Sequence, residues 1–398
     1  MTENRPSLKF SMLVGAMAAI PAVTMDMYLP SMPQIAIDLN TTQALVQGTI
    51  SATLIGAGIG QLVNGPVSDR FGRRLPFFFG VGLHVLMSIA CMFAPNIQAL
   101  IAFRLLQGIG NASAAVAAMA VIRDRFTGPA VAAGISRNMM VVSAAPIIAP
   151  AIGGFLANYF GWQGVFAALA LFGVVMLFGV WRFLPETHPH ERRTKRGEPF
   201  LRAYLPLLTD WSFLRVALIP AFSMVVLMSF VSSASFTYQE HFGLSAGMFA
   251  AAFALNGIGI ISASQFNSRL VYRAGSPQIL LVALSTEAVI AATLLVLALL
   301  GLVNVWVFAI ATFLLVSVNA VTMPNGASLA LAEQGHRAGT AAALLGAFQS
   351  GIGGLLSPLV GVFGGDVRAF AIVALGALVI ALTFFLSGPR PQLRPRVA

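Results

Sequence analysis

Residues 64–74 read Asn-Gly-Pro-Val-Ser-Asp-Arg-Phe-Gly-Arg-Arg. The chain is apolar on both sides of them, over 43–65 and again over 76–95. Each flanking stretch is long enough to cross a hydrocarbon core of about 30 Å as a helix. Almost nothing is left between the two, so the segment must be a tight turn at a membrane surface. Gly72 can take positive φ there. Asp69, set among Arg70, Arg73 and Arg74, is placed for charge-assisted hydrogen bonds. A loop that only fixed topology would need neither the acid nor the spacing of Gly65 and Gly72.

The composition agrees with a membrane chain. Of 398 residues, 58% are hydrophobic and 9% charged, against roughly 25% charged in soluble domains. The mean hydropathy is +0.86. Twelve helical crossings would use about 240 residues. Apolar runs place them at 10–32, 43–65, 76–95, 98–122, 130–157, 163–184, 213–236, 246–268, 277–300, 303–329, 338–362 and 367–387. The runs are too long and uniform for transmembrane strands. The expected fold is therefore all-α, with twelve transmembrane helices in two pseudo-symmetric six-helix bundles. The net charge of +10 does not indicate nucleic acid, because the basic residues lie in small groups at the ends of apolar runs. The lone cysteine, Cys91, reads as buried filler. The first run continues to Pro30 and more spans follow, so it reads as an anchored helix, not a cleaved leader.

With these spans, all 23 Lys and Arg residues fall on one side except Arg104, within a span, and Arg368. The positive-inside rule then puts both termini in the cytosol. The basic stretch PETHPHERRTKRGEP, 185–199, carries Arg192, Arg193, Lys195 and Arg196. It separates two halves, giving bundles at 1–187 and 212–398 joined by a cytosolic linker at 188–211. His188 and His190 lie in it without ligand partners at metal-site spacing, so no metal is expected.

The halves echo each other. Asn64 and Arg70-Phe71-Gly72 are matched by Asn267 and Arg273-Ala274-Gly275, 203 residues on. Asn111 matches Asn319, and Pro150 with Gly153 matches Pro358 with Gly361, both at an offset of 208. Duplicated units are how many secondary transporters build a central site.

The turn at 65–74 resembles the signature loop of the major facilitator superfamily, G-x-x-x-D-R-x-G-R-R. Arg104-Leu105-Leu106-Gln107-Gly108 is similar to that family's R-x-x-Q-G element. Ala149-Pro150-Ala151-Ile152-Gly153-Gly154 is similar to its antiporter motif, with alanine in place of the first glycine. Met25-Asp26-Met27-Tyr28-Leu29-Pro30 resembles the Bcr/CflA branch of bacterial drug/proton antiporters. The resemblance implies that Asp69 and Arg73 form a cytosolic gate cluster with Asp124, flanked by Arg70 and Arg74, that stabilises an outward-open state. It also implies a twelve-span exporter of the inner membrane.

Three charges lie within spans: Asp26, Arg104 and Glu287. Charged groups in hydrocarbon are costly and are functional candidates by default. Asp26 and Arg104 each sit about six residues from the outer ends of their spans, roughly 9 Å deep. Matched depth allows a pair, direct or through water. Such a pair is either a static tie between helices or a proton-coupling device in which burial favours the protonated acid and the cation opposes it. The resemblance implies the coupling role for both. Glu287 either faces inward as a second proton site or bonds to a neighbouring helix. His84 occupies the equivalent place 203 residues earlier. Tyr28, Gln107, Asn111, Asn256 and Asn319 are candidates to line a substrate cavity.

The expected function is proton-driven export of a small amphipathic drug or toxic compound by a monomer in the lipid bilayer. The alternative is a major facilitator exporter or importer of a polar metabolite such as a sugar or amino acid. An intramembrane enzyme would need a constellation such as H-E-x-x-H, which five scattered histidines do not supply. A sensor would need a long soluble domain. The chain carries no nucleotide-binding P-loop, so no cofactor is expected.

Overall fold

Pro30 has no N–H to offer the carbonyl of Asp26, four residues earlier, and its ring crowds that carbonyl. In the computed structural model of the chain, α1 (Leu8–Asp26) accordingly stops at Asp26. A 3-10 turn, Leu29–Ser31, follows, and α2 (Met32–Asp38) resumes the crossing. The span expected at 10–32 is therefore longer than expected and broken at the acid. Residues 8–127, 129–189, 204–332, 334 and 337–388 are described. The linker residues His190, Arg192, Arg193, Lys195 and Arg196 and both chain ends lie outside them.

The order continues as α3 (Gln43–Phe71), α4 (Arg74–Met92), α5 (Ile97–Arg125), α6 (Pro129–Phe183), the single turn α7 (Leu205–Leu208) and α8 (Trp211–Phe236). Then come α9 (Ala246–Ala274), α10 (Ser276–Leu299), α11 (Val305–Leu331), α12 (Ala338–Leu356), the short α13 (Leu359–Val362) and α14 (Val367–Leu386). No strand occurs among the described residues. Among the described residues, eleven helical stretches are long and apolar enough to cross a membrane. α6 is 55 residues long, or about 80 Å at 1.5 Å per residue, far beyond one bilayer core. It breaks at Gly161, whose φ of 66° and ψ of 179° are non-helical. Two crossings result, as expected at 130–157 and 163–184, and the total is twelve.

The chain groups into two units. One comprises Met1–Thr41 with Ala52–Phe200, the other Thr42–Ser51 with Leu201–Ala398. The first core is built from Phe10, Met17, Ile20, Phe77, Val121 and Phe126, drawn from α1, α4, α5 and the residue after it. In the second, Phe308 packs edge-on against both Tyr238 and Phe370. The early turns of α3 belong to the second unit, where Gln43 Nε2 donates to the Gly365 carbonyl at 3.4 Å.

The internal repeat is visible in side-chain geometry. Asn64 Oδ1 accepts from Ser113 Oγ on α5 at 2.8 Å. Asn267 Oδ1 accepts from Asn325 Nδ2 on α11 at 2.8 Å. Gly72 and Gly275, at matching places, both have positive φ, 90° and 74°.

Close packing inside the first unit depends on glycines. A Cβ at Gly56 would fall on the Leu105 carbonyl, and one at Gly108 on the Thr53 carbonyl, so the backbones of α3 and α5 touch at reciprocal points. A Cβ at Gly65 would meet nothing within 4 Å. Gly108→Ala should therefore lower stability by about 1–3 kcal/mol, the ordinary cost of overpacking. Gly65→Ala should not lower it. Thermal unfolding of both variants in one detergent tests the contrast.

Candidate functional site

The turn between α3 and α4 is organised by one guanidinium. Gly72, at φ 90°, ends α3 and turns the chain so that Arg73 points back beneath it. Arg73 Nη1 donates to Asp69 Oδ1 at 2.7 Å and to Ser68 Oγ at 3.0 Å. Its Nε and Nη2 reach the two oxygens of Asp124, near the end of α5, at 2.7 and 3.3 Å. This fork-to-fork geometry is the strong form of a carboxylate–arginine bond. Burial works against the charged Arg73, but the bonds to Asp124 and Asp69 outweigh it and raise its pKa.

A second acid completes the turn. Glu186 follows α6, and its carboxylate accepts the backbone N–H groups of Arg73 at 2.9 Å and Arg74 at 3.1 Å. It also accepts those of Thr187 and His188, each at 3.0 Å. It thus satisfies the first N–H groups of α4, which no helical partner can reach, and its charge suits that helix end. Partial burial pushes the Glu186 carboxyl up. The N–H bonds from Arg73, His188, Arg74 and Thr187 outweigh this and hold it below its ordinary value of 4.5. Thr187 Oγ1 adds a bond to Asp124 Oδ2 at 3.2 Å. Arg74 Nη2 donates to the Trp181 carbonyl at 3.2 Å. Arg70 lies outside this cluster, its guanidinium 5.3 Å from the centre of the Phe71 ring.

Within the membrane-spanning part of the same unit, Arg104 on α5 is fully buried. Its Nη1 donates to Gln107 Oε1 at 2.8 Å and to the Thr24 carbonyl at 3.4 Å. The guanidinium lies 4.5 Å from the Tyr28 ring centre and 5.8 Å from that of Phe166. A desolvated cation over aromatic faces gains about 2 kcal/mol or more. Gln107 Nε2 passes the chain on to Ser88 Oγ at 2.7 Å, and Ser88 donates to the His84 carbonyl at 2.7 Å. His84 Nε2 donates to the Leu169 carbonyl on α6 at 3.2 Å.

Of the Asp26–Arg104 pair allowed as direct or through water, the direct form is not made; the ion pairs among the described residues are those of Arg73. Depth was matched, but rotation was not. Thr24 offers its backbone carbonyl near the end of α1, and Tyr28 lies in the turn just beyond that helix. Arg104 takes that carbonyl and the Tyr28 ring, and no ion pair with Asp26 is formed among the described residues. Its carboxylate is 7% exposed at the end of α1.

In the second unit, Glu287 on α10 is fully buried and bonds to α11. Thr322 Oγ1 donates to its Oε1, and Asn319 Nδ2 donates to its Oε2 at 3.4 Å. Asn319 Nδ2 also donates to the Ser223 carbonyl and Oγ on α8, at 3.0 and 2.7 Å. Of the two readings of Glu287, the interhelical bond is the one observed.

A match to the Major Facilitator Superfamily covers residues 14–358. The chain belongs to this superfamily. It is 35% identical over 389 residues to an MFS-type transporter YdgK of Bacillus subtilis, covering 96% of each chain. It is 30% identical to a bicyclomycin resistance protein homolog of Haemophilus influenzae, again covering 96% of each. A chloramphenicol resistance protein of Pseudomonas aeruginosa is 30% identical over 84% of this chain and 79% of its own. Among solved structures, a POT family transporter in complex with a thioalcohol-conjugated peptide superimposes with a TM-score of 0.76. That match has 14% identity and covers 94% of each chain. Superfamily membership makes the chain a multi-pass membrane transporter of a small molecule.

The superfamily motifs expected from the sequence take up several roles. Asp69, Arg73 and Asp124 come together, whereas Gly65 and Arg70 stand apart. In the antiporter-like motif, Pro150 lies within α6, and Gly153 lets α6 pack on the Met27 carbonyl at the break after α1, where a Cβ would collide. Gly154 is buried beside it. Tyr28, Gln107 and Asn319 are engaged in the clusters above. Asn111 is buried on α5, and Asn256 Nδ2 bonds its own helix at the Ala252 carbonyl, 2.9 Å away. In the sequence Glu186 stands out only as a member of the basic stretch 185–199. The one signal of its position was its place directly after the Pro185 that ends an apolar run.

Glu186→Ala should expose the Arg73 and Arg74 amides to exchange. The Arg73 amide is part-buried and the Arg74 amide exposed, so losing the acceptor costs about 0.5–1.5 kcal/mol, and hydrogen exchange at these two amides should accelerate roughly twofold to tenfold. In wild type, the lowered Glu186 pKa means the contribution is full above pH 4.5. It fades as pH falls through the lower folded value.

Proposed function

We propose that this transporter exports small amphipathic drugs or similar toxic compounds across a bacterial inner membrane, driven by proton influx. Asp26 carries the proton. The observation that carries this reading is a membrane-buried acid, at a proline-induced helix break, with no ion pair among the described residues. Holding such a carboxylate charged is costly, so it suits a group that gains a proton when substrate leaves and yields it when substrate arrives. Arg104 holds the nearby Thr24 carbonyl and Tyr28 ring and sets the field in which the exchange occurs. Drug export is supported by relatives of matching length named for bicyclomycin and chloramphenicol resistance, and by the scarcity of charges along the spans, which suits apolar ligands.

In this reading a monomer works by rocking two six-helix bundles, 1–187 and 212–398, about a cytosolic linker at 188–211, with both termini in the cytosol. The Asp69–Arg73–Asp124 cluster is the cytosolic gate that stabilises the outward-open state. Glu287 is assigned to holding α10 against α11 and stands as the second candidate for the proton. No cofactor takes part.

Asp69→Asn weakens one arm of the gate without touching the substrate cavity. Transport should fall while substrate affinity stays within about twofold, since only the conformational equilibrium shifts. Normal transport by a properly inserted variant would remove the gate assignment.

Asp26→Asn keeps size and hydrogen-bonding capacity but cannot ionise. It should abolish proton-driven efflux, seen as loss of protonophore-sensitive drug resistance in an efflux-deficient host. Purified Asp26→Asn in detergent should also lose substrate-induced proton release. Stoichiometric release from that variant would place the carrier elsewhere, and Glu287→Gln would be examined next.

A further inference from the structure

A groove of about 460 Å³ runs between α3, α4 and α5, lined by Val67, Phe71, Leu75, Phe79, Leu83 and Ile109. It lies wholly within the first unit. Phe79 is 73% exposed, and Phe71 and Leu75 are exposed as well. These residues belong to membrane-spanning helices, so the groove opens onto the bilayer. Its walls extend from Phe71 back to Val63 on α3 and from Leu75 to Leu83 on α4. Eight residues of helix make about 12 Å, within the roughly 15 Å of one leaflet. The polar residues in its lining are Asn64 and Ser113. Ser113 Oγ donates to Asn64 Oδ1 at 2.8 Å, and Asn64 Nδ2 donates to the Gly60 carbonyl at 2.8 Å. They satisfy each other, so the walls leave no unmet polar group to orient a polar ligand. What fits is a hydrocarbon chain.

The mouth carries a charge. Phe71 lines it, and the Arg70 guanidinium sits 5.3 Å from the Phe71 ring centre. Arg70 is exposed and forms no ion pair among the described residues. Nearby Asp69 and Asp124 are both held by Arg73. An arginine at a membrane surface, beside an apolar slot one leaflet deep, complements a phosphate joined to an acyl chain.

We propose that this groove binds one acyl chain of an anionic phospholipid, with its phosphate on Arg70. The site is separate from the Asp26 and Arg104 region, and the proposal does not depend on which compound is exported. Bound there, the lipid would stand beside the turn that carries the Arg73 cluster, so its occupancy would bear on how firmly that turn is held.

The test uses the purified full-length protein in nanodiscs. The probes are phosphatidylglycerol and phosphatidylcholine carrying the same photoactivatable acyl chain, with cross-linked peptides mapped by mass spectrometry. Wild type should cross-link chiefly within residues 63–83, with phosphatidylglycerol favoured about fivefold, the ratio expected from roughly 1 kcal/mol per arginine at a charged surface. Arg70→Gln should bring the two lipids to parity while the cross-links stay in place, and Arg70→Lys should keep a preference. Wild-type cross-links spread evenly over the lipid-facing helices would overturn the groove. So would cross-links concentrated on another face, as a second copy covering this one would give. Equal labelling by the two lipids in wild type, or a preference that survives Arg70→Gln, would overturn the assignment of the phosphate to Arg70.

Discussion

A guanidinium buried in a membrane-spanning helix cannot be left to the surrounding hydrocarbon. Among the described residues Arg104 has no carboxylate ion-paired to it; its Nη1 is met by a carbonyl and an amide oxygen, and the guanidinium lies near two aromatic rings. That requirement orders much of the first unit. It draws Thr24 of α1, Tyr28 in the turn after it and Phe166 of α6 onto α5. Through Gln107 and Ser88, it also ties α5 to α4. The same constraint acts in the second unit, where Glu287 takes its bonds from Thr322 and Asn319, and Asn319 binds Ser223 in turn. Such polar ties supply specificity where lipid, as apolar as leucine, provides little drive for helices to associate. Glycines at Gly56 and Gly108 supply the other half, letting backbones approach until dispersion does the rest.

At the membrane surface the logic changes, because water and charged partners are available. Arg73 gathers Asp69 and Asp124, and Glu186 gathers the first N–H groups of α4. Together they tie the ends of α3, α4, α5 and α6 in a small space. Each bond is charge-assisted, and none crosses hydrocarbon. A switch built from such groups is readily biased, since breaking one arm shifts a balance and leaves the packed interior intact. The proposed gating role rests on this contrast between a fixed interior and a surface cluster of exchangeable bonds.

The break after Asp26 joins the two themes. Pro30 removes the helical partner of the Asp26 carbonyl, and Gly153 of α6 closes on the Met27 carbonyl. An acid at an interrupted helix has room to change partners that one inside a continuous helix lacks. In the proposed function, the absence of a direct ion pair leaves Arg104 with its own ligands while the acid changes state.

The sequence by itself determined the class and the twelve crossings, and their ends only approximately, since α3 and α9 run past the expected 65 and 268. Apolar run length is set by bilayer thickness, and glycine and proline mark turns through their own backbone limits. Gly72, Gly161 and Gly275 all carry positive φ, and two of them fall at turns read from motif and repeat alone. The repeat offset paired Asn64 with Asn267, and the structure adds that each accepts a bond from a neighbouring helix. The Arg73 cluster was legible because its residues fill a motif that resembles a family pattern. Partner choice was decided only by the tertiary structure. Depth along a helix follows from counting residues, but rotation about its axis follows from packing. Arg104 therefore turned out to face Thr24 and Tyr28 instead of Asp26, and Glu287 to face α11. Glu186 lies 113 positions from Arg73, with no periodic signal linking them. Only the folded path of α6 returns that acid to the turn, where unpaired N–H groups at the start of α4 give it a partner.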